Sequence, residues 1–538
     1  MIKLYYGGDI ITMREEGEYP EALVVENNKI LYVGKKKEAI NLLRSKSEND
    51  FEEIDLEGKT LMPSFIDGHS HFFQTVQGIH MCDLSETESF SDIVSVINEY
   101  IEKNNITSED VILGSGYDHN FLAEGKHPSK YLLDQATAEI PIYISHVSGH
   151  MGVANSAMLN LAGLTKDVPN PEGGVYGRTE DGELSGYLEE QPAIFNVIKF
   201  AMPRLKVDIT NQIKEVINLY LKNGVTTVQE GAGDINSVKG LEKFAESENL
   251  NLDVVFYALD DEYNKIHDLM PEYIDKYRNH IKVGGQKIIL DGSPQGKTAW
   301  LSKPYEDEEE YRGYPTHPDD YVNKVVENSV FNGHQLLAHC NGDAASEQFL
   351  KAFEVVAEKI GIEAYKLKDL RPVMIHCQTE RKDQVDRMSA LNMIPSVFIG
   401  HTYYWGDIHL KNLGSDRGNN ISPLKWMKDK ELIFNFHQDT PVTKPNMLHS
   451  VWCAVNRITR KGKIIGEDQC IDVYNALKAI TINAAYSYHE EESKGSLEEG
   501  KYADMVILSN NPLKVNKKDI KDISVIETIK AGETVYHI

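Results

Sequence analysis

The first sixty residues alternate apolar and polar positions in strand fashion: "KLYYGGDIITM" is followed by "EALVVENNKILYVG", with "NNK" as turn chemistry between two β-runs. The last forty repeat the pattern in "YADMVILSNNP" and "SVIETIKAGETVYHI". Neither end buries a core easily by itself, so residues 1–60 and 495–538 are expected to combine into one small β-sandwich domain. Between them, over residues 61–494, short β-rich runs alternate with helical stretches. The runs are "LMPSFIDGHSH", "GVTTVQEG", "LDVVFYAL", "GQKIILDG", "QLLAHC", "PVMIHC", "IPSVFIG" and "LIFNFHQD". In "DITNQIKEVINLYLKNG" the period changes to three and four, with Asp208 or Thr210 available to cap the start and Gly224 to end it. Eight strands, most followed by a helix, predict an α/β fold: a (β/α)8 TIM-like barrel with its functional site at the strands' C-terminal ends.

One interval breaks the rhythm. Roughly 150 residues separate the first strand from the second, far more than a barrel connection needs. This stretch holds its own Gly-rich and aromatic pieces, "ILGSGYDHNFL", "YISHVSGHMGVANSAMLNLAG" and "PEGGVYGRTEDGELSGYLEE". Residues of about 75–207 are therefore expected to form an inserted subdomain on the catalytic face.

Composition narrows the partners more than the fold. At 538 residues the chain exceeds one ordinary core, and 41% hydrophobic with 26% charged residues is the balance of a soluble globular protein. A formal net charge of −27 argues against nucleic acid or an anionic membrane, since phosphate would be repelled. The five cysteines (Cys82, Cys340, Cys377, Cys453 and Cys470) are widely spread and include no C-x-x-C pair, so neither a disulfide framework nor a thiolate zinc site is expected. With no long apolar h-region at the start and no apolar run near the roughly 18 residues of a membrane span, a reducing cytoplasm is the expected location. The expected partner is a small-molecule substrate, with homo-oligomerisation left open.

Candidate chemistry begins in "PSFIDGHSHF", where His69 and His71 sit one residue apart behind Asp67. Alternate strand residues share a side at a spacing of roughly 6.6 Å, so both imidazoles can face one point. Among nineteen histidines such a pair arises easily by chance, and it gains weight only from its company. The other strand ends supply Lys287, His339, His376 and Asp439. Imidazole nitrogens and carboxylate oxygens at about 2.0–2.2 Å suit zinc or a similar divalent ion.

With these residues placed, the sequence resembles the amidohydrolase superfamily: "FIDGHSH" is similar to its strand-one motif and "HQDTPV" to its strand-eight aspartate. Within it, the resemblance is closest to the subfamily called amidohydrolase family 3, which includes N-substituted formamide deformylase. Further pieces carry it from Pro63 nearly to Pro512: "HMGVANSAMLNLAG", "GGVYGRTEDGELSGYLEE", "KIILDGSPQGKTA", "HSVWCAVNR", "ALKAITINAA" and "GSLEEGKYADMVIL". The resemblance implies a metal-dependent hydrolase using one or two divalent ions, zinc being expected. His69, His71 and Asp439 would hold the more buried ion, and His339 and His376 a second. Lys287 would bridge them as an N6-carboxylated lysine, whose two carbamate oxygens can span metals about 3.5–4 Å apart. Two alternatives stay open: an unmodified Lys287 paired with Asp291, and Glu230 as the bridge.

The implied reaction is hydrolysis of a non-peptide C–N bond in a small amide, formamide or N-acyl compound, with Asp439 taking a proton from the attacking water and delivering it to the departing amine. Cyclic amide or amidine hydrolysis, including deamination, would use the same site. A non-catalytic assembly protein on this scaffold is the alternative of another class. For the substrate pocket the candidates are Tyr117, His150 and Asn155 in the insert, with His401 and Trp405 after the seventh strand. Cys340 and Cys377 adjoin candidate ligands but should point away from them, which favours packing over nucleophilic roles.

Overall fold

The eight apolar runs form one parallel sheet. Its strands are β1 (Phe65–Ile66), β2 (Val225–Gly233), β3 (Asp253–Leu259), β4 (Ile281–Ile289), β5 (Gln335–Cys340), β6 (Val373–His376), β7 (Ile394–Val397) and β8 (Asn435–Phe436), each beside its neighbour in sequence order. The computed structural model describes residues 2–46, 51–147, 149, 151–205, 208–248, 250–260 and 262–538. Buried on both faces, strands such as β6 and β7 show no alternation of buried and exposed positions. The sheet curls until its ends meet. The Gly68 N–H donates to Phe436 O (3.1 Å), that of Asp439 to His69 O (3.1 Å), and that of His71 to Thr440 O (2.8 Å).

The helix Ile209–Leu221 shows how local sequence sets an element. The Asp208 carboxylate accepts from the Asn211 N–H at 3.1 Å, so Asp208 is the cap, not Thr210. The chain then turns at Gly224, whose φ of 78° lies in the left-handed region. A Cβ there would also stand 3.0 Å from the Phe65 ring, so glycine lets β2 begin tight against β1.

The two ends of the chain pair directly. Thr60–Pro63 runs antiparallel to Met505–Leu508, within a five-stranded sheet that also holds Asp9–Ile10, Val525–Lys530 and Glu533–His537. A four-stranded sheet holds Ile2–Tyr6, Ala22–Glu26, Lys29–Gly34 and Glu52–Asp55. One hydrophobic cluster joins Tyr5, Leu23, Val25 and Leu61 to Met505, Ile507 and Ile529. Residues up to Thr75 and from Lys214 onward make a single compact unit, so both ends belong to the same unit as the barrel.

At the start of the barrel strands lies a buried charge network. Asp253, first in β3, accepts from Lys494 (2.5 Å), Lys530 (2.6 Å) and His280 (2.7 Å). Lys530 also reaches Asp504 (2.7 Å), and Glu490 pairs with Lys494 (2.8 Å) and Lys282. Burial alone would push the Asp253 carboxyl up, but the two ammonium groups and the His280 hydrogen bond hold it well below the usual carboxylate range.

The second unit, Val76–Ile213, has its own six-stranded sheet. Its order is Val175–Arg178, Leu184–Glu189, Met151–Ala154, Ile142–His146, Ile112–Tyr117 and Cys82–Asp83. One core cluster includes Leu113, Met158 and Leu188, and another Ile93, Ile112 and Ile144. Among the described residues no helix is long and apolar enough to cross a membrane.

Candidate metal centre

Past Ile66 the chain is pinned residue by residue. Ser70 is fixed to β2: its hydroxyl donates to Gln229 O (2.8 Å), and the Gly231 N–H donates to Ser70 O (2.9 Å). The histidines on either side turn their Nε2 atoms to one carboxylate oxygen, Asp439 Oδ1, at 3.5 Å from His69 and 3.3 Å from His71. The tautomer of His69 follows from its neighbour. The Gln229 amide nitrogen donates to Gly68 O (3.2 Å) and to the Tyr488 hydroxyl (3.0 Å), so its oxygen faces His69 Nδ1 and takes that proton. Nε2 is left with a bare lone pair directed at the site, the arrangement a metal-ligating imidazole needs. Gly231 makes room for the ring, since a Cβ there would lie 2.3 Å from His69 Cε1.

Asp439 arrives from β8 by way of a clasp. The fully buried Asp67 accepts on Oδ1 from the N–H groups of both His69 (3.3 Å) and Gln438 (3.2 Å), fixing the two ligand-bearing turns to each other. Burial raises the Asp67 pKa to about 8. Asp439 has φ 55° and His376 φ 80°, conformations that non-glycine residues hold only when their surroundings impose them.

Orphaned polar atoms test whether a cation fits. His71 Nδ1 and Asp439 Oδ1 are buried without a hydrogen-bond partner among the described residues. One atom from each of His69, His71 and Asp439 lies within 4.8 Å of the other two. Burial, with Lys287 beside it, holds the His69 imidazole well below its ordinary pKa and so neutral. Imidazole lone pairs converging on a buried carboxylate fit a divalent metal.

The other candidates gather around this triad. Lys287 Nζ, buried, sits 3.4 Å from His69 Nε2, and burial lowers its pKa to about 8. Asp291 takes no part in holding it. Its oxygens accept from His339 Nδ1 (3.1 Å) and from the N–H groups of Asn341 (3.0 Å), Gly342 (2.7 Å) and Trp300 (3.0 Å). The His339 and His376 rings are 4.4 Å apart, and His376 lies 5.7 Å from His69. His376 Nδ1 is 3.2 Å from His437 Nε2, whose other nitrogen meets the Ser396 hydroxyl at 2.9 Å. His437 was not among the residues singled out from sequence. It stands just past β8 and two residues before Asp439, the same i, i+2 spacing as His69 and His71, and that was the available signal. Glu230 turns its carboxylate to the Phe73 N–H (2.7 Å), a structural use that weakens its claim as a bridge.

The pocket candidates have local roles. His401 pairs with His409 (3.0 Å) and packs on Phe398 (4.7 Å), which in turn contacts His437 (5.3 Å). Trp405 packs on His401 at 4.6 Å. In the second unit, Asn155 caps the helix Ser156–Leu161 and donates to Thr137 O and Ile140 O, so its amide serves the backbone around it. Tyr117 meets His127 Nδ1 at 3.0 Å, and His150 lies outside the described residues. Cys340 and Cys377 are buried, with thiols pushed well up by desolvation, and pack as expected.

The parallel eight-stranded barrel thus gathers histidines, a lysine and an aspartate at its strand ends. The chain belongs to the Amidohydrolase family, which it matches over residues 52–536. It is 27% identical to the Bacillus subtilis (strain 168) protein named "Putative amidohydrolase YtcJ", over 100% of this chain and 99% of that protein. It is 23% identical to N-substituted formamide deformylase of Arthrobacter pascens, over 98% and 97% of the two chains. An uncharacterised metal-dependent hydrolase from Pyrococcus furiosus shares the fold, with a TM-score of 0.74 at 23% identity over 96% of this chain and 100% of that one.

Proposed function

We propose that the protein hydrolyses a non-peptide C–N bond of a small amide, formamide or N-acyl compound, with zinc as its ion. The observation that carries this reading is the convergence of His69 Nε2, His71 Nε2 and Asp439 Oδ1. A divalent ion held there supplies Lewis acidity toward a carbonyl oxygen and acidifies a water. His69 and His71 keep their lone pairs aimed by the Gln229 contact and the β1–β8 ladder. Asp439 accepts the proton of the attacking water and passes it to the departing nitrogen, which leaves poorly unless protonated. Lys287 would serve as an N6-carboxylated ligand, with His339 and His376 holding a second ion, and native intact-mass measurement would register one added CO2 per chain. In this reading the two sheets built from the chain ends are a β-sandwich supporting β1.

The formamide deformylase relative makes N-substituted formamides the first substrates to try. Metal-loaded protein should be assayed for amine release from N-formyl, N-acyl and cyclic amides, with dipeptides alongside. Cleavage confined to dipeptides would overturn the reading.

A further inference from the structure

The second unit contains a histidine cluster that the barrel chemistry does not use. Ile112–Tyr117 and Ile142–His146 are parallel neighbours, with Tyr117 opposite His146, so Asp118, His119 and His146 meet at the C-terminal ends of adjacent strands. His119 Nδ1 lies 3.1 Å from His146 Nε2, and Asp118 Oδ1 lies 3.8 Å and 3.5 Å from those nitrogens. Asp118 Oδ1 makes its shorter hydrogen bonds elsewhere, at 2.9 Å to both the N–H and the side-chain amide of Asn120. The three atoms thus face one another at separations mostly longer than a good hydrogen bond. At 3.1, 3.5 and 3.8 Å they bracket the edge of a tetrahedron around an ion with bonds of about 2.0–2.2 Å, roughly 3.3–3.6 Å. In the barrel triad the two carboxylate–imidazole separations are 3.5 and 3.3 Å.

The surroundings fit as well. Asp118 and His146 are buried, while the His119 side chain is 28% exposed and leaves a path to solvent. The His127 ring stacks on His119 at 4.1 Å and lies 5.5 Å from His146, its Nδ1 held by the Tyr117 hydroxyl. A hydrogen-bonded histidine pair would account for the shortest contact. It leaves the buried Asp118 carboxylate beside both rings, at 3.5 Å from His146 and 3.8 Å from His119.

We propose that Asp118, His119 and His146 bind a divalent transition metal such as zinc, with His127 beside the fourth position. The test is zinc stoichiometry in full-length protein after zinc loading and desalting. An Asp118→Ala/His146→Ala variant should carry one zinc per chain fewer than the parent. A His69→Ala/His71→Ala/His339→Ala/His376→Ala variant, stripped of the barrel histidines, should retain one zinc per chain and be stabilised against heat by added zinc. Should the buried double variant fail to fold, the partly exposed His119→Ala decides alone, with circular dichroism confirming its fold, and it too should lose most of one equivalent. Parental zinc content in the folded His119 variant, or a zinc-free barrel variant, would overturn the proposal.

Discussion

The two ends of the barrel both bury charge, and they do so in opposite ways. Where the strands begin, Asp253 is met by Lys494, Lys530 and His280, and Glu490 by Lys282 and Lys494, so opposite charges answer each other. Where they end, Asp439 Oδ1 faces two imidazole Nε2 atoms, one of which Gln229 has already fixed as an acceptor. Satisfied charge is architecture, because each partner removes the other's desolvation cost. Acceptors aimed at one another are unstable company without a cation, and their persistence at the mouth marks the working end. Burial alone does not distinguish the two regions; the sign of what each group faces does.

The sharpest way to break this contrast is Asp439→Asn. It keeps an oxygen donor and volume but cannot accept a proton, so turnover should fall on the order of 10²–10⁴-fold while metal content changes little. Near-normal kcat in a fully loaded variant would remove Asp439 from the proton path. At the opposite end, Asp253→Ala should leave activity per folded molecule intact yet cost about 1–3 kcal/mol in urea unfolding, since buried Lys494 and Lys530 each lose one of their two carboxylate partners. The same carboxylate sets an acid limb. Its folded pKa is depressed, so its stabilisation is complete above an unfolded pKa of about 3.9 and drains away as pH falls below that. Unfolding midpoints followed from pH 6 to 3 should drop steeply below about pH 4 in the parent and more gently in Asp253→Asn. Gly231→Ala is the finest probe: crowding the His69 ring should weaken metal binding by about 10–100-fold, as changes behind a ligand do, with little effect at the other end of the barrel.

Much of this was legible in the sequence. All eight barrel strands were readable, because a parallel strand buried on both faces leaves a short apolar run between turn residues. His69, His71, Lys287, His339, His376 and Asp439 were found by looking at where those runs stop. What escaped notice depends on contacts distant in sequence. Gln229 is a neutral amide with no charge pattern to advertise it, and its importance comes from facing a histidine 160 residues earlier. His437 was overlooked beside the more conspicuous Asp439. His119, His127 and His146 are scattered through loops and strand ends, and only the parallel pairing of Ile112–Tyr117 with Ile142–His146 brings them together. Asn155 shows the converse, a polar residue beside a suggestive motif whose task is to cap a helix.

The pairing of Thr60–Pro63 with Met505–Leu508 also constrains how the chain comes to life on the ribosome. Its second partner emerges about 440 residues after the first. At synthesis rates of about 5–20 residues per second, the early strand waits roughly twenty to ninety seconds for its mate. The insert, whose strands pair among themselves, can mature during that delay. His69 and His71 must likewise outlast it before Asp439 appears, so capture of the ion at the barrel mouth is a late event in the birth of the molecule.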